Sequence, residues 1–109
     1  NMWLTCILVD PKVAGFTRED LRLAMEAANI ETRPLWKPMH MQPVFEEAPF
    51  YGHNDSSYYT SFNKDSDTEP DRENSVCGQL FEKGLCLPSH PGLSEEDLER
   101  VVGVVNTLP

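Results

Sequence analysis

Residues 17–29 read TREDLRLAMEAAN, and the fold turns on how they are read. Thr17 with Asp20 three residues later has the pattern of a capping box. The hydroxyl can accept from an early orphan backbone N–H, and the acid can reach back to the cap. Phe16 before the cap and Leu21 after it stand where a hydrophobic staple forms. Leu21, Ala24, Met25 and Ala28 recur at i, i+3, i+4 and i+7, so the spacing predicts a helix with one apolar stripe. It should end near Asn29, whose side chain suits a left-handed C-terminal position.

On the N-terminal side, residues 3–9 (WLTCILV) are rich in β-branched and aromatic types and predict a mostly buried strand, ended by Asp10-Pro11, with Gly15 in the connecting turn. On the other side, Glu31 to Trp36 predicts a second strand, which Pro34 confines to a sheet edge or a strand end. Pro38 and Pro43 keep the path extended with a turn, and Val44 to Ala48 suits a short helical turn. Ser75 to Glu82 predicts a short helix stopped by Gly84, and Leu85 to Pro88 a short strand. Ser94-Glu95-Glu96-Asp97 repeats the capping box, with Leu93 and Leu98 as its staple pair. Leu98, Val101, Val102 and Val105 make the last apolar stripe. Three short strands and two main helices give an α+β domain of two layers, a small antiparallel or mixed sheet with helices on one face. Residues 54–74 differ in composition. Six acids against two bases, among many Ser, Asp and Asn, describe a polar, flexible insert, with Tyr58, Tyr59 and Phe62 available to pin one end.

The chain has 109 residues, enough for one small domain over 1–109 with a single core. Its 18 acidic and nine basic residues leave a net charge of -9, and no broad basic face can be assembled for nucleic acid. No apolar run reaches the roughly 18–20 residues of a membrane span, and the opening lacks the basic leader of a secretory signal. Cys6, Cys77 and Cys86 are odd in number and widely spaced, which predicts reduced thiols and a cytoplasmic protein. Cys86 should be inert core and Cys77 should lie on a helix face. The chain opens inside a strand, as a piece of a longer protein would. Asp65 to Glu73 alternates acids faintly like a calcium loop but lacks the central glycine. Cys77, Cys86 and His90 lack zinc-ligand spacing, and neither a nucleophile elbow nor a glycine-rich phosphate loop is present.

Two segments carry a family resemblance: TREDLRLAMEAANIETRPLWKPMHMQPVF (17–45) and LFEKGLCLPSHPGLSEEDLERVV (80–102), with NMWLTCILVD (1–10) similar too. The combination of an Arg-Pro-x-Trp-x-Pro-Met-His-x-Gln-Pro run, a Gly-Leu-Cys-Leu-Pro strand and a Ser-Glu-Glu-Asp helix start resembles the C-terminal domain of the DegT–StrS group, the pyridoxal-phosphate-dependent nucleotide-sugar aminotransferases. The resemblance implies the small C-terminal domain of an aspartate-aminotransferase-like fold. It also implies transfer of an amino group, from a donor such as glutamate, to a keto sugar on a nucleotide diphosphate. The expected partners are the large domain of the same chain and a second subunit in a homodimer. Pyridoxal 5'-phosphate would be held mainly by the large domain. None of Lys12, Lys37, Lys64 and Lys83 lies in a segment resembling the family's cofactor-lysine region, so no catalytic or cofactor-binding residue is expected in this chain, and alone it should be inactive. Two alternatives stand beside this reading: a non-catalytic binding module, and a sugar dehydratase of the same fold.

Within that resemblance, residues 33–43 (RPLWKPMHMQP) are the substrate-side candidates. Arg33, Lys37 and His40 set cations on a proline-stiffened backbone, a sensible partner for a diphosphate. Trp36 offers a stacking face, and His40 and Gln42 offer hydrogen bonds. Each also has a plainer role: Trp36, Met39 and Met41 in packing, Lys37 as a solvated charge, Arg33 paired with Glu31, and His40 on a backbone carbonyl.

Overall fold

The computed structural model of the chain describes residues 3–50 and 75–109. In chain order these form β1 (Thr5–Leu8), α1 (Pro11–Ala14), α2 (Arg18–Ala27), β2 (Arg33–Pro34), α3 (Val76–Lys83), β3 (Gly84–Leu87) and α4 (Glu95–Val105). Two 3-10 turns, Met39–Met41 and Pro43–Phe45, follow β2. The strands make one antiparallel sheet in the order β1-β3-β2, so the last strand in the chain lies at its centre. The expected α+β architecture is present, with the sheet antiparallel throughout. The 54–74 insert, with Tyr58, Tyr59 and Phe62, lies outside the described residues.

Both main helices begin as their sequences require. Thr17 Oγ1 accepts from Asp20 N at 3.1 Å while Asp20 Oδ2 accepts from Thr17 N at 2.8 Å. Ser94 and Asp97 repeat the exchange at 3.1 and 3.0 Å. At the far end of α2, Asn29 takes the left-handed conformation, φ 56°. The Arg100 guanidinium, reaching from α4, donates to the Ala28 carbonyl and so satisfies one of the orphan acceptors there.

The core is small. Leu85 on β3 is fully buried and lies in one cluster with Val9, Leu21, Met25 and Ile30. Side chains alternate along a strand, so Ile7, Leu85 and Leu87 share the covered face. From α4 the cluster is met by Val101, Val104, Val105 and by Leu108 just beyond the helix. This corrects the expected stripe. Leu98 and Val102 are about half exposed, because α4 is turned so that 101, 104, 105 and 108 form the i, i+3, i+4, i+7 face.

Two further readings are corrected. The first strand is shorter than 3–9 and is largely exposed, only Ile7 of its four residues being partly buried. It is an edge strand, and its second face carries Cys6 and Leu8 outward. Asp10-Pro11 also does more than end the strand. Asp10 accepts from Lys12 N at 3.0 Å, Pro11 occupies the first turn, and Gly15 at φ 82° closes it, which makes the single turn α1.

Hydrogen-bond phase explains the edge proline. Leu35 N donates to Gly84 O at 3.2 Å, so Leu35 and Gly84 are a bonded pair, and Pro34, opposite Leu85, falls in the non-bonded phase. The N–H that proline lacks would have pointed off the sheet edge. At the open end of the β1–β3 ladder the Ser89 hydroxyl accepts from Thr5 N at 2.7 Å and donates to Leu87 O at 2.8 Å, inserting itself where the strands part.

Gly84 is required by close approach. A Cβ there would meet the Leu35 side chain and the Leu80 carbonyl well inside contact distance. Gly84→Ala should therefore destabilise the domain by about 1–3 kcal/mol, read from a urea melt, whereas Gly103→Ala, where a Cβ meets nothing within 4 Å, should not destabilise it.

The caps make a second prediction. Hydrogen bonds from the Thr17 and Ser94 side chains and backbones hold Asp20 and Asp97 below the usual carboxylate range. Lowered carboxylates add stability that is complete above about pH 4 and is lost as pH falls through their native values. Thr17→Ala should cost about 1 kcal/mol at neutral pH and make the acid limb of the stability curve shallower, as followed by circular dichroism.

Candidate functional site

The 33–43 run begins on the sheet edge and leaves it through proline-set turns. Arg33 lies opposite Cys86 in register. Beyond β2 the chain turns out, and Trp36 meets Trp3, which precedes β1, with ring centroids 5.6 Å apart and planes tilted by 40°. The two tryptophans come from opposite edges of the sheet, and both stay open to solvent, at 67% and 64% exposure. With Leu4, Leu35, Phe81 and Leu93 they line an open, mainly apolar cavity of about 890 Å³.

Its polar groups are few and differently held. Arg33 gives two bonds to one oxygen of Glu31, from Nε at 2.8 Å and from Nη2 at 2.5 Å. Both side chains are about three-quarters exposed, so the pair is worth roughly 0–1 kcal/mol and is open to exchange. Arg100 and Asp97 stand on the wall supplied by α4. Thr32, just before β2, also lines the cavity, and its Oγ1 is buried with no hydrogen-bond partner among the described residues.

The other candidates lie outside this cavity. Lys37 is exposed, and its carbonyl accepts from Gln42 Nε2 at 3.2 Å, a bond that braces the turn between them. His40 faces the start of α3: Nε2 is 3.2 Å from Ser75 Oγ, Nδ1 is 3.9 Å from Cys77 Sγ, and Phe50 stacks at 4.2 Å. Arg33 and Trp36 thus share one wall, while Lys37 and Gln42 hold the turn and His40 joins it to α3. The plainer role for Arg33, a pairing with Glu31, is present, and His40 meets a hydroxyl and a thiol. Sequence reasoning missed Trp3, Thr32 and Arg100 as wall residues. Of these, only Trp3 left a trace, as a large aromatic at the start of an edge strand.

Lys83 Nζ lies 3.9 Å from Asp10, and neither it nor Lys12 nor Lys37 lines the cavity. Lys64 lies outside the described residues. No cluster of three or more metal-ligating side chains is found among the described residues, and no described helix is long and apolar enough to cross a membrane.

No family model matches the chain. It is 37% identical over 105 residues, 96% of its length, to EpsN of Bacillus subtilis (strain 168), which is named among the pyridoxal phosphate-dependent aminotransferases; the match takes in 22% of EpsN. It is 28% identical to GDP-perosamine synthase of Caulobacter vibrioides over 84% of the chain and 19% of that protein. It is 24% identical to the spore coat polysaccharide biosynthesis protein SpsC of Bacillus subtilis (strain 168) over 99% of the chain and 24% of that protein. The chain spans about a fifth to a quarter of the length of these relatives. The motif set of residues 17–45 and 80–102, the small antiparallel α+β fold and these similarities are consistent with the C-terminal domain of a DegT-type, pyridoxal-phosphate-dependent aminotransferase.

Proposed function

We propose that the chain is the small domain of an aminotransferase that passes an amino group from a donor such as glutamate to a keto sugar carried on a nucleotide diphosphate. The observation that carries this reading is the open cavity edged by Arg33 and walled by Trp3 and Trp36, in a chain 37% identical over nearly its whole length to a named aminotransferase. The name GDP-perosamine synthase, borne by another relative, supports a nucleotide-linked substrate.

In this role the chain supplies walls and orientation. Trp36 presents an aromatic face to the sugar, and Arg33 leaves Glu31 for a phosphate oxygen, exchanging a weak exposed pair for a charge-assisted bond. Lys37, Gln42 and His40 keep the turn in shape and present further donors at its rim. No described lysine lines the cavity, and the cofactor and its lysine are ascribed to the remainder of the protein, with a second subunit completing a homodimer. Trp3, Leu4, Trp36 and Met39, all exposed, form the apolar surface that the remainder would cover.

The test uses the full-length protein, with glutamate as donor and a panel of nucleotide-linked keto sugars as acceptors. Arg33→Ala and Trp36→Ala should raise KM for the sugar nucleotide about ten- to a hundred-fold, the loss of roughly 1.5–3 kcal/mol expected for a bond to a charged group or a ring contact. The half-reaction with glutamate should be unchanged. If both half-reactions fall together, or neither moves, these residues are not the sugar wall.

A further inference from the structure

Cys6 and Cys86 are far apart in the chain and adjacent in the sheet. They are separated by 80 positions, and their sulfurs lie 3.7 Å apart. Strand phase makes this more than proximity. Val9 N donates to Lys83 O at 2.9 Å, which marks Val9 and Lys83 as a bonded pair. Counting back along the register, Ile7–Leu85 is in the bonded phase, as is Thr5–Leu87, where the Ser89 hydroxyl inserts, and Cys6–Cys86 and Leu8–Gly84 are in the non-bonded phase. In an antiparallel non-bonded pair the Cα atoms approach to about 4.5 Å with both side chains on one face. That spacing lies inside the roughly 4.4–6.8 Å that a disulfide tolerates. Cys6, on the edge strand, is exposed, and Cys86, on the central strand, is buried.

We infer that Cys6 and Cys86 are a redox-responsive dithiol that closes to a cross-strand disulfide when a hydroperoxide reaches the open face of the sheet. The Cys6 thiolate attacks one peroxide oxygen and the O–O bond breaks; that oxygen stays on sulfur as a sulfenic acid, and the other leaves as hydroxide, which takes the proton the Cys6 thiol gave up and becomes water. Cys86 then attacks the Cys6 sulfur, the S–S bond forms and a second water leaves. Two thiols lose two electrons and two protons, and the peroxide takes up both. The order follows from exposure: Cys6 meets the oxidant, and Cys86 resolves. Burial first, and the neighbouring Cys6 second, raise the Cys86 thiol above its ordinary range, which also makes it the later partner. Cys86 is buried in the core as its sequence context predicts, and Cys6 adds a reactive partner to it. Cys86 also lies on the cavity wall opposite Arg33, so the bond would tie the strand that follows Trp3 to that wall. Cys77 stands apart, beside Ser75 and His40, and serves as an internal control.

The protein is treated with hydrogen peroxide, then alkylated, digested and mapped by mass spectrometry. The expected product joins the Cys6 and Cys86 peptides with loss of two hydrogens, leaves Cys77 alkylated and is reversed by dithiothreitol. Closing so long a loop restricts the unfolded chain, so the oxidised protein should melt at a higher temperature than the reduced one. Cys77→Ser should behave in the same way. Cys6→Ser, at an exposed position, should abolish both the joined peptide and the shift. Alkylation of all three thiols after treatment, further oxidation of Cys6 without joining, or a bridge through Cys77 would each overturn the inference.

Discussion

The burial of Leu85 is the contact on which the rest of this small domain depends. The strand that carries it enters the chain late but lies between the other two, so neither β1 nor β2 has a sheet partner without it. On its covered face Leu85 meets Leu21 and Met25, the two α2 residues with the least exposure. On its other side the backbone at Gly84 is approached by Leu35 and by the last turn of α3. A domain of this size has a thin margin of stability, and among the described residues that margin is concentrated in a cluster of five buried side chains, of which Leu21, Met25 and Leu85 are fully buried. Capping, the Arg100 bond to Ala28 and the Ser89 insertion each add local definition around that centre, but none of them can replace it.

What could be read from the chain follows the range of the forces involved. Both capping boxes, the left-handed Asn29 and the edge position of Pro34 came through because each is settled within four residues by backbone hydrogen bonding or φ. The exposure of β1 did not. WLTCILV has a buried strand's composition, and only the sheet order shows that one of its faces is left uncovered. The α4 stripe was displaced for a related reason. Leu98, Val101, Val102, Val104, Val105 and Leu108 offer two overlapping apolar faces, and contact with the α2 layer selects one of them. The helical turn at Pro11 was legible in its parts, with Asp, Pro and Gly each at the favoured position, but four residues are too few to show a period.

The candidate site divides in the same way. Residues 33–43 announced themselves by composition, and their family resemblance agrees with the similarity to EpsN. The grouping inside the run could not be read, because Trp36 finds its partner in Trp3 across the sheet and His40 finds its own at the start of α3. Thr32 and Arg100 carry no sequence signal at all. Their place on the wall comes from the course of the chain between α2 and β2 and from the pitch of α4.

On the proposed function, that grouping would also limit the kind of recognition this wall supports. A purely cationic surface would suit any polyanion, but Arg33 is already matched by Glu31, and the chain as a whole carries nine more negative charges than positive ones. An anion drawn here gains little from long-range attraction and must displace a carboxylate at short range. Bidentate phosphate can do so, since the exposed pair it breaks is weak and the guanidinium geometry favours it. The remaining wall is mainly aromatic and aliphatic, with Asp97 and Arg100 at one side, and its rings offer a stacking face without regard to charge. Selectivity would therefore come from one exchangeable arginine set beside a stacking surface, a combination that a bare phosphate or a bare sugar would only half satisfy.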